Sequence, residues 1–205
     1  MRIGPRYKIA RRLGPGIFDK TQTQKFAVSQ SRKEEGGKKS KRPGTGTQFA
    51  VQMLEKQKAR YTYGVGERQF KGYAKTALSQ RKVSPASHLY ERLECRLDNV
   101  IYRLGLVRSR QAARQMVNHG HLMINGTKTD IPSFQVSIGD KIRIRDGSAK
   151  KPLFKDVDEM IKKAGVPTWI KFDATKREWE IVGVPTYNST SSVFDLSSVI
   201  EFYSR

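Results

Sequence analysis

The side chains with the chemistry to act on a substrate are few and poorly assembled. Cys95 is the only cysteine in 205 residues. It excludes a disulfide framework and any structural zinc site built on two or more cysteines. His119 and His121 supply two further metal-ligand types, but without the spacing that makes a metal set, so no metal is expected. Gly14-Pro15-Gly16, Gly44-Thr45-Gly46 and Gly64-Val65-Gly66 are not phosphate loops, because no Gly-Lys-Ser/Thr follows them. Asp98, between Leu97 and Asn99, is a carboxylate at a helical position beside Leu97 and Val100. It reads as a structural acid rather than a catalytic one. No nucleophile–base pair or paired-carboxylate motif can be assembled, so no enzyme is expected.

The basic residues are more informative. Lysine and arginine number 40 against 19 acids, a formal charge of +21, with a pI near 10.3 and a mean hydropathy of −0.64. At this charge the first partner to consider is nucleic acid. The charge is uneven: residues 1–45 hold 13 bases against 3 acids, while residues 148–205 hold 9 against 8. The basic front suits phosphate, and the near-neutral tail suits protein contact. Arg108, Ser109, Arg110 and Arg114 bracket a helix start, where free N–H groups and arginines together would hold a phosphate. Lys141, Arg143 and Arg145 alternate with Ile142 and Ile144, so the three bases leave one strand face roughly 6.6 Å apart. Arg2, Arg6, Lys8, Arg11 and Arg12 in the front, and Lys56, Lys58, Arg60, Arg68 and Lys71 further on, complete the candidate RNA contacts. Tyr61, Tyr63, Phe70 and Tyr73, interleaved with these bases, read as core rather than as base-stacking platforms. Phe202 and Tyr203 are the candidate protein-interface anchors.

These residues need elements to hold them. Residues 1–45 show no sustained period and read as a basic arm or loop that orders on RNA. Residues 46–92 read as a first helical part, with Phe49, Val51, Met53 and Leu54 opening an apolar stripe and Lys56, Lys58 and Arg60 on its wet side. Gly64 and Gly66 break this helix before it resumes over 67–80. Ser84-Pro85 opens a helix that the period carries through Leu89, Leu93, Leu97, Val100, Ile101 and Leu104, with Gly105 as a left-handed cap. A second, shorter helix runs from Ser109 as N-cap to about Asn118, ending at Gly120. Beyond it the period falls to two. Leu122 and Ile124 lead into the Asn125-Gly126 turn, and Val136, Ile138, Ile142 and Ile144 alternate around Gly139-Asp140. Residues 93–150 thus form a small module of two short helices on a mostly antiparallel sheet. Residues 151–205 read as completing the helical domain, with a helix over 152–164 and a hairpin around residues 174–177. In that part Trp169, Phe172 and Trp179 are sized for a small core. The stretch 199–203 stays ambiguous between helix and strand. The fold class is α+β. No apolar run approaches the ~20 residues of a membrane helix, and the opening MRIGPRYKIARRLG has no secretory h-region, so neither a membrane span nor a signal is expected.

The segment from Ser109 to Gly126, SRQAARQMVNHGHLMING, preceded by RLDNVIYRLG over 96–105, resembles the RNA-binding module named after small-subunit ribosomal protein S-four. VQMLEKQKARYTYGVGERQF (51–70), PTW (167–169) and the ending VIEFYSR look like the flanks of the bacterial-type ribosomal protein family itself. The resemblance covers about residues 46–205. It implies a cytoplasmic constituent of the small (30S) subunit that binds 16S ribosomal RNA and nucleates assembly of the subunit body. It further implies protein S-five as a neighbour, a share in decoding accuracy with protein S-twelve, and contact with messenger RNA, including a repressor role. No small-molecule substrate is implied. Some members hold zinc with four cysteines in the N-terminal arm; this chain has none there, so no cofactor is expected. Arg96-Leu97-Asp98 also matches the catalytic tripeptide of pseudouridine synthases, which carry the same module. That reading requires a dedicated catalytic domain, and the flanks offer no site for one. A third alternative is an RNA chaperone or repressor acting off the ribosome.

Overall fold

Apolar side chains three and four residues apart set the helices, and the shift to alternation after Gly120 sets the sheet. The structure is a computed structural model describing residues 3–35, 46–81, 83–151, 154, 165–173, 175–190 and 192–204. It divides into two compact units, Met1–Leu89 with Tyr187–Arg205, and Tyr90–Thr186.

The first unit is helical. It contains α1 (Arg6–Leu13), two short 3-10 turns (Pro15–Ile17 and Asp19–Thr21), α2 (Gln24–Glu35), α3 (Gln48–Tyr63) and α4 (Glu67–Ser79). Here the sequence reading of residues 1–45 as a loop-like arm is corrected over α1 and α2. Ala10, Leu13, Ile17 and Phe26 are buried, and Tyr7 meets Phe26 edge-on at 5.2 Å. Thr21 Oγ1 donates to the carbonyls of Pro15 and Phe18, closing the turns between the helices. Four apolar side chains scattered among bases are too few for a visible period, yet enough to offset part of the ordering entropy once they meet. Residues 36–45 lie outside the described residues. Gly64 ends α3 at φ +63°, with its own N–H on Tyr61 O and that of Val65 on Arg60 O, a left-handed cap that glycine adopts at no steric cost.

The ambiguous tail of the chain is helical, Leu196–Ser204 in full. Asp195 starts it, accepting from the N–H groups of Ser197 (2.9 Å) and Ser198 (3.2 Å). Leu196 and Val199 are buried.

The second unit is the mixed one. The single helix read from Ser84 to Leu104 is two: α5 (Pro85–Glu94), inside which the division between units falls, and α6 (Leu97–Arg103). The break has a competitor for its backbone groups. Val136 N–H donates to Cys95 O (2.9 Å) and Leu97 N–H to Phe134 O (2.8 Å), so the loop over 130–139 takes bonds that a continuous helix would have made. Helix α7 (Arg110–Asn118) follows, then β1 (Leu122–Ile124), β2 (Thr127–Thr129), β3 (Lys141–Ile144), a four-residue helix α8 (Asp146–Ala149), β4 (Ile170–Asp173) and β5 (Glu178–Ile181); the tail helix Leu196–Ser204 is α9. The sheet is antiparallel throughout, in the order β2-β1-β3-β5-β4.

Two expectations change here. Val136 is buried, but Ile138 is exposed and no strand precedes Gly139, so residues 136–144 are not a hairpin. Residues 170–181 form the expected hairpin, yet it pairs with β3 and shares its core with the RNA-module helices; only residues 187–205 group with the helical unit. The reason is Trp179, which lies opposite Ile142 in register and is 1% exposed. An indole buried against β3 removes a large apolar surface from water, although its Nε1–H finds no hydrogen-bond partner among the described residues. The helix read over 152–164 falls almost wholly outside the described residues. Gly120 takes φ +63° at the end of α7, a left-handed conformation that glycine adopts without strain, and the Lys128 side chain of β2 lies against it.

Candidate nucleic-acid interface

Helix α7 begins as the sequence requires: Ser109 is extended (φ −158°, ψ 152°) and its Oγ accepts from the N–H of Ala112 at 3.3 Å. The arginines around this cap divide in a way spacing does not reveal. Arg108 is exposed and has no ion-pair partner among the described residues. Arg110 donates its Nε to Asn99 Oδ1 (2.7 Å) and lies over the ring of Tyr102 at 4.3 Å. Arg114 is committed inward, with Nε and Nη2 both on Asp98 Oδ2 at 2.8 and 2.6 Å. It therefore does not extend a phosphate site along the helix. Arg110→Glu removes the Asn99 bond and the ring contact, so a lower urea midpoint is expected for the variant.

Behind these contacts is a buried polar network. Asp98, 2% exposed, also receives Arg96 (Nε 3.0 Å, Nη2 2.9 Å), itself 3% exposed. Glu94, 1% exposed, holds Arg103 through two bonds (2.9 and 2.8 Å) and Asn99 through another (2.9 Å). The two acids thus clamp α5, α6 and α7 together from within, which is the structural role expected of Asp98. Cys95 is buried beside Glu91 and Glu94. Burial first, and those carboxylates second, push its thiol up to about 12, which makes it a poor nucleophile or metal ligand. His119 and His121 stack at 5.9 Å. His121 is held below its ordinary value by burial, by Lys151, by the neighbouring His119 ring and by Arg145, and its Nδ1 pairs with Ser148 Oγ at 3.0 Å.

The strand face is less basic than alternation suggests. Lys141 stands opposite Glu180 and Arg143 opposite Glu178. Lys171 flanks Glu180 and Asp173 flanks Glu178 on the other side. Arg145 lies past the strand end, its N–H on His121 O. Counter-charges from β5 are not foreseeable from spacing, because the pairing of β3 with β5 joins residues about forty apart. Lys128, opposite Met123 in the row that holds Arg143, is exposed and is missed by spacing alone.

In the helical unit the expected bases separate into two sets. Lys56 is 7% exposed, not on a wet face; its Nζ bonds Glu67 Oε1 at 3.0 Å and sits 4.4 Å above Phe202. Arg60 takes Glu67 Oε2 at 2.8 Å, and Lys58 takes Glu55 at 2.6 Å. Lys56 and Arg60 thus join α3 to α4, while Lys58 is paired within α3. Arg68 and Lys71 are exposed and have no ion pair among the described residues, and with Lys75, which the sequence reading does not single out, they lie at i, i+3 and i+7 along one side of α4. That spacing is the signal that could have found it. On α1, Lys8 and Arg12 are exposed, Arg11 donates to Ser29 Oγ, Arg6 is half-buried and partnered, and Arg2 lies outside the described residues. Tyr63 and Phe70 are core, as expected.

Phe202 and Tyr203 are not free interface anchors. Phe202 meets Phe49 at 5.4 Å, and Tyr203 Oη donates to Glu67 Oε1 at 2.7 Å, so both fasten α9 within its own unit. Glu67 is the hub of that fastening. Burial raises its pKa, but the bonds from Tyr203, Lys56 and Arg60 outweigh burial and leave it below the ordinary 4.5. A depressed carboxylate contributes stability that is complete above its unfolded value and is lost as the pH falls through its folded one. Glu67→Gln should therefore flatten the acid limb of stability as the pH falls below the ordinary 4.5. Urea midpoints across that range measure it; parallel curves for both proteins would refute the assignment.

Comparison with known proteins gives the family. The family model "Ribosomal protein S4/S9 N-terminal domain" matches residues 1–94, and "S4 domain" matches residues 95–142. The chain is 37% identical over 202 residues to small ribosomal subunit protein uS4 of Chlorobaculum tepidum, covering 97% of this chain and 96% of that one. It is 38% identical over 205 residues to uS4 of Halothermothrix orenii (98% of each), and 35% over 203 residues to that of Azotobacter vinelandii (99% and 98%). With likeness of this extent across both units, the chain belongs to the small ribosomal subunit protein uS4 family, whose members are ribosomal constituents rather than enzymes.

Proposed function

We propose that this protein binds 16S ribosomal RNA directly, nucleates assembly of the body of the small subunit, and contributes to decoding accuracy beside proteins S-five and S-twelve. Its place of work is then the cytoplasmic small subunit, where contact with messenger RNA and a repressor role are further parts of the same reading. The observation that carries RNA binding is the sorting of cations. In each unit some bases are spent on carboxylates, the half-exposed Glu67 in the first and the buried Asp98 in the second, while Lys8, Arg12, Arg68, Lys71, Lys75, Arg108 and Lys128 stand exposed with no ion pair among the described residues. Uncompensated cations on a rigid scaffold repel one another unless phosphate arrives. We further propose that no zinc is needed. Residues 1–45 contain no cysteine, and Ala10, Leu13, Ile17 and Phe26 supply a core for α1 and α2 instead.

Sedimentation tests the reading. The protein is expected to remain with small subunits after a high-salt wash. Its recovery in the post-ribosomal supernatant, with other primary RNA binders retained on the particle, would overturn it.

A further inference from the structure

One surface of the second unit is unsuited to RNA. From Asp130 to Asp140 the chain carries no lysine or arginine, although bases make up 40 of its 205 residues. In place of cations it exposes Ile131 (55%), Phe134 (37%) and Ile138 (62%). Val182 (47%) joins them: Gly139 N–H donates to Ile181 O at 2.8 Å, so Ile138 and Val182 flank the same hydrogen bond.

This loop is held along its length. Phe134 N–H bonds Ile131 O (3.1 Å), while Pro132 O and Phe134 O accept from Asp98 and Leu97 at the start of α6. Asp140 ties the far end, taking Ser137 N–H at 2.7 Å and Asn125 Nδ2 at 2.8 Å. Apolar side chains displayed on a braced backbone lose little entropy on docking. Exposed apolar side chains gathered in one short braced loop mark an interaction site on a soluble protein. Asp130, beside Ile131, is exposed and has no ion pair among the described residues. A lysine or arginine brought by a partner could pair with it.

We propose that Ile131, Phe134, Ile138 and Val182 form a docking surface for a basic protein, one that brings an apolar cluster and a cation for Asp130. This rests on the reading of the chain as a small-subunit constituent, since the partner would be a neighbour in that particle.

Two positions carrying a photo-crosslinking benzoylphenylalanine separate the two ideas, Phe134 on this loop and Lys71 on α4. Irradiated small subunits should yield a crosslink from position 134 to a basic protein and from position 71 to ribosomal RNA. A crosslink from 134 to RNA, to an acidic protein or to a second copy of this chain, or none at all, overturns the docking surface while leaving the function intact. Failure of the chain to enter subunits overturns both. The variant Ile131→Ser, Phe134→Ser, Ile138→Ser alters only exposed side chains. It should keep its affinity for naked 16S RNA within about twofold while losing about tenfold or more in affinity for the crosslinked protein. Equal loss on both counts overturns the proposal.

Discussion

Asp98→Ala is expected to lower the unfolding free energy of the second unit by about 3–5 kcal/mol, the range for breaking a buried ion pair from one side. The carboxylate is 2% exposed and accepts four bonds, two from Arg96 and two from Arg114. Its removal leaves one guanidinium at 3% exposure and another at 19% without their counter-charge. The pair need not stabilise the fold relative to an apolar substitute; the loss comes from the charges left behind. Asp146→Ala is the contrast. Asp146 is 87% exposed and 4.0 Å from Arg143, so its removal should cost under about 1 kcal/mol. Both tryptophans, Trp169 and Trp179, belong to this unit, so intrinsic fluorescence in urea follows it selectively. If Asp98→Ala unfolds within about 1 kcal/mol of the wild type, the clamp of α6 and α7 is not where the stability of the module lies. Where the alanine variant does not fold, Asp98→Asn gives a measurable intermediate loss.

The affinity for naked 16S RNA should fall about 10³- to 10⁵-fold between about 50 and 200 mM salt. If about eight phosphates are neutralised, the slope of log K against log salt is near −6 to −7. The structure adds a sharper test, because it separates bases that are free from bases that are spent. Replacing Arg68, Lys71 and Lys75 with glutamine should reduce the slope by about 2 to 3, one for each phosphate no longer neutralised. Lys58→Gln should leave the slope unchanged, since Lys58 is already paired with Glu55 at 2.6 Å. Sequence spacing makes Lys58 and Lys71 equivalent candidates; the structure does not. Filter binding at several salt concentrations decides between them. A wild-type slope near −1, or a larger change from Lys58 than from the α4 trio, would refute this division of the cations.

Composition and local period determined a great deal unaided. The charge of +21 pointed toward nucleic acid, and the lone Cys95 ruled out a disulfide framework within the chain. The Ser109 cap, the glycine stops at 64 and 105, and the β1–β2 turn follow from backbone preferences that act within a few residues, so they are written locally. The motifs over 51–70 and 96–126 were specific enough to point to the family.

What was not legible depends on partners distant in the chain. Whether Lys56 is wet or buried is decided by Glu67 and by Phe202, almost 150 residues away. Whether Arg114 reaches outward is decided by Asp98, and whether α5 continues into α6 is decided by the loop that contributes Phe134 and Val136. The hairpin around residues 174–177 was recognisable, but its attachment to β3 was not, because that pairing rests on Trp179 finding Ile142. A helical or alternating period reports which side of an element is apolar. It does not report which opposite charge meets a base on the polar side. For a protein this basic, tertiary packing alone decides which cations are consumed by the fold and which remain for RNA, because an ion pair forms wherever the folded chain brings a carboxylate within reach.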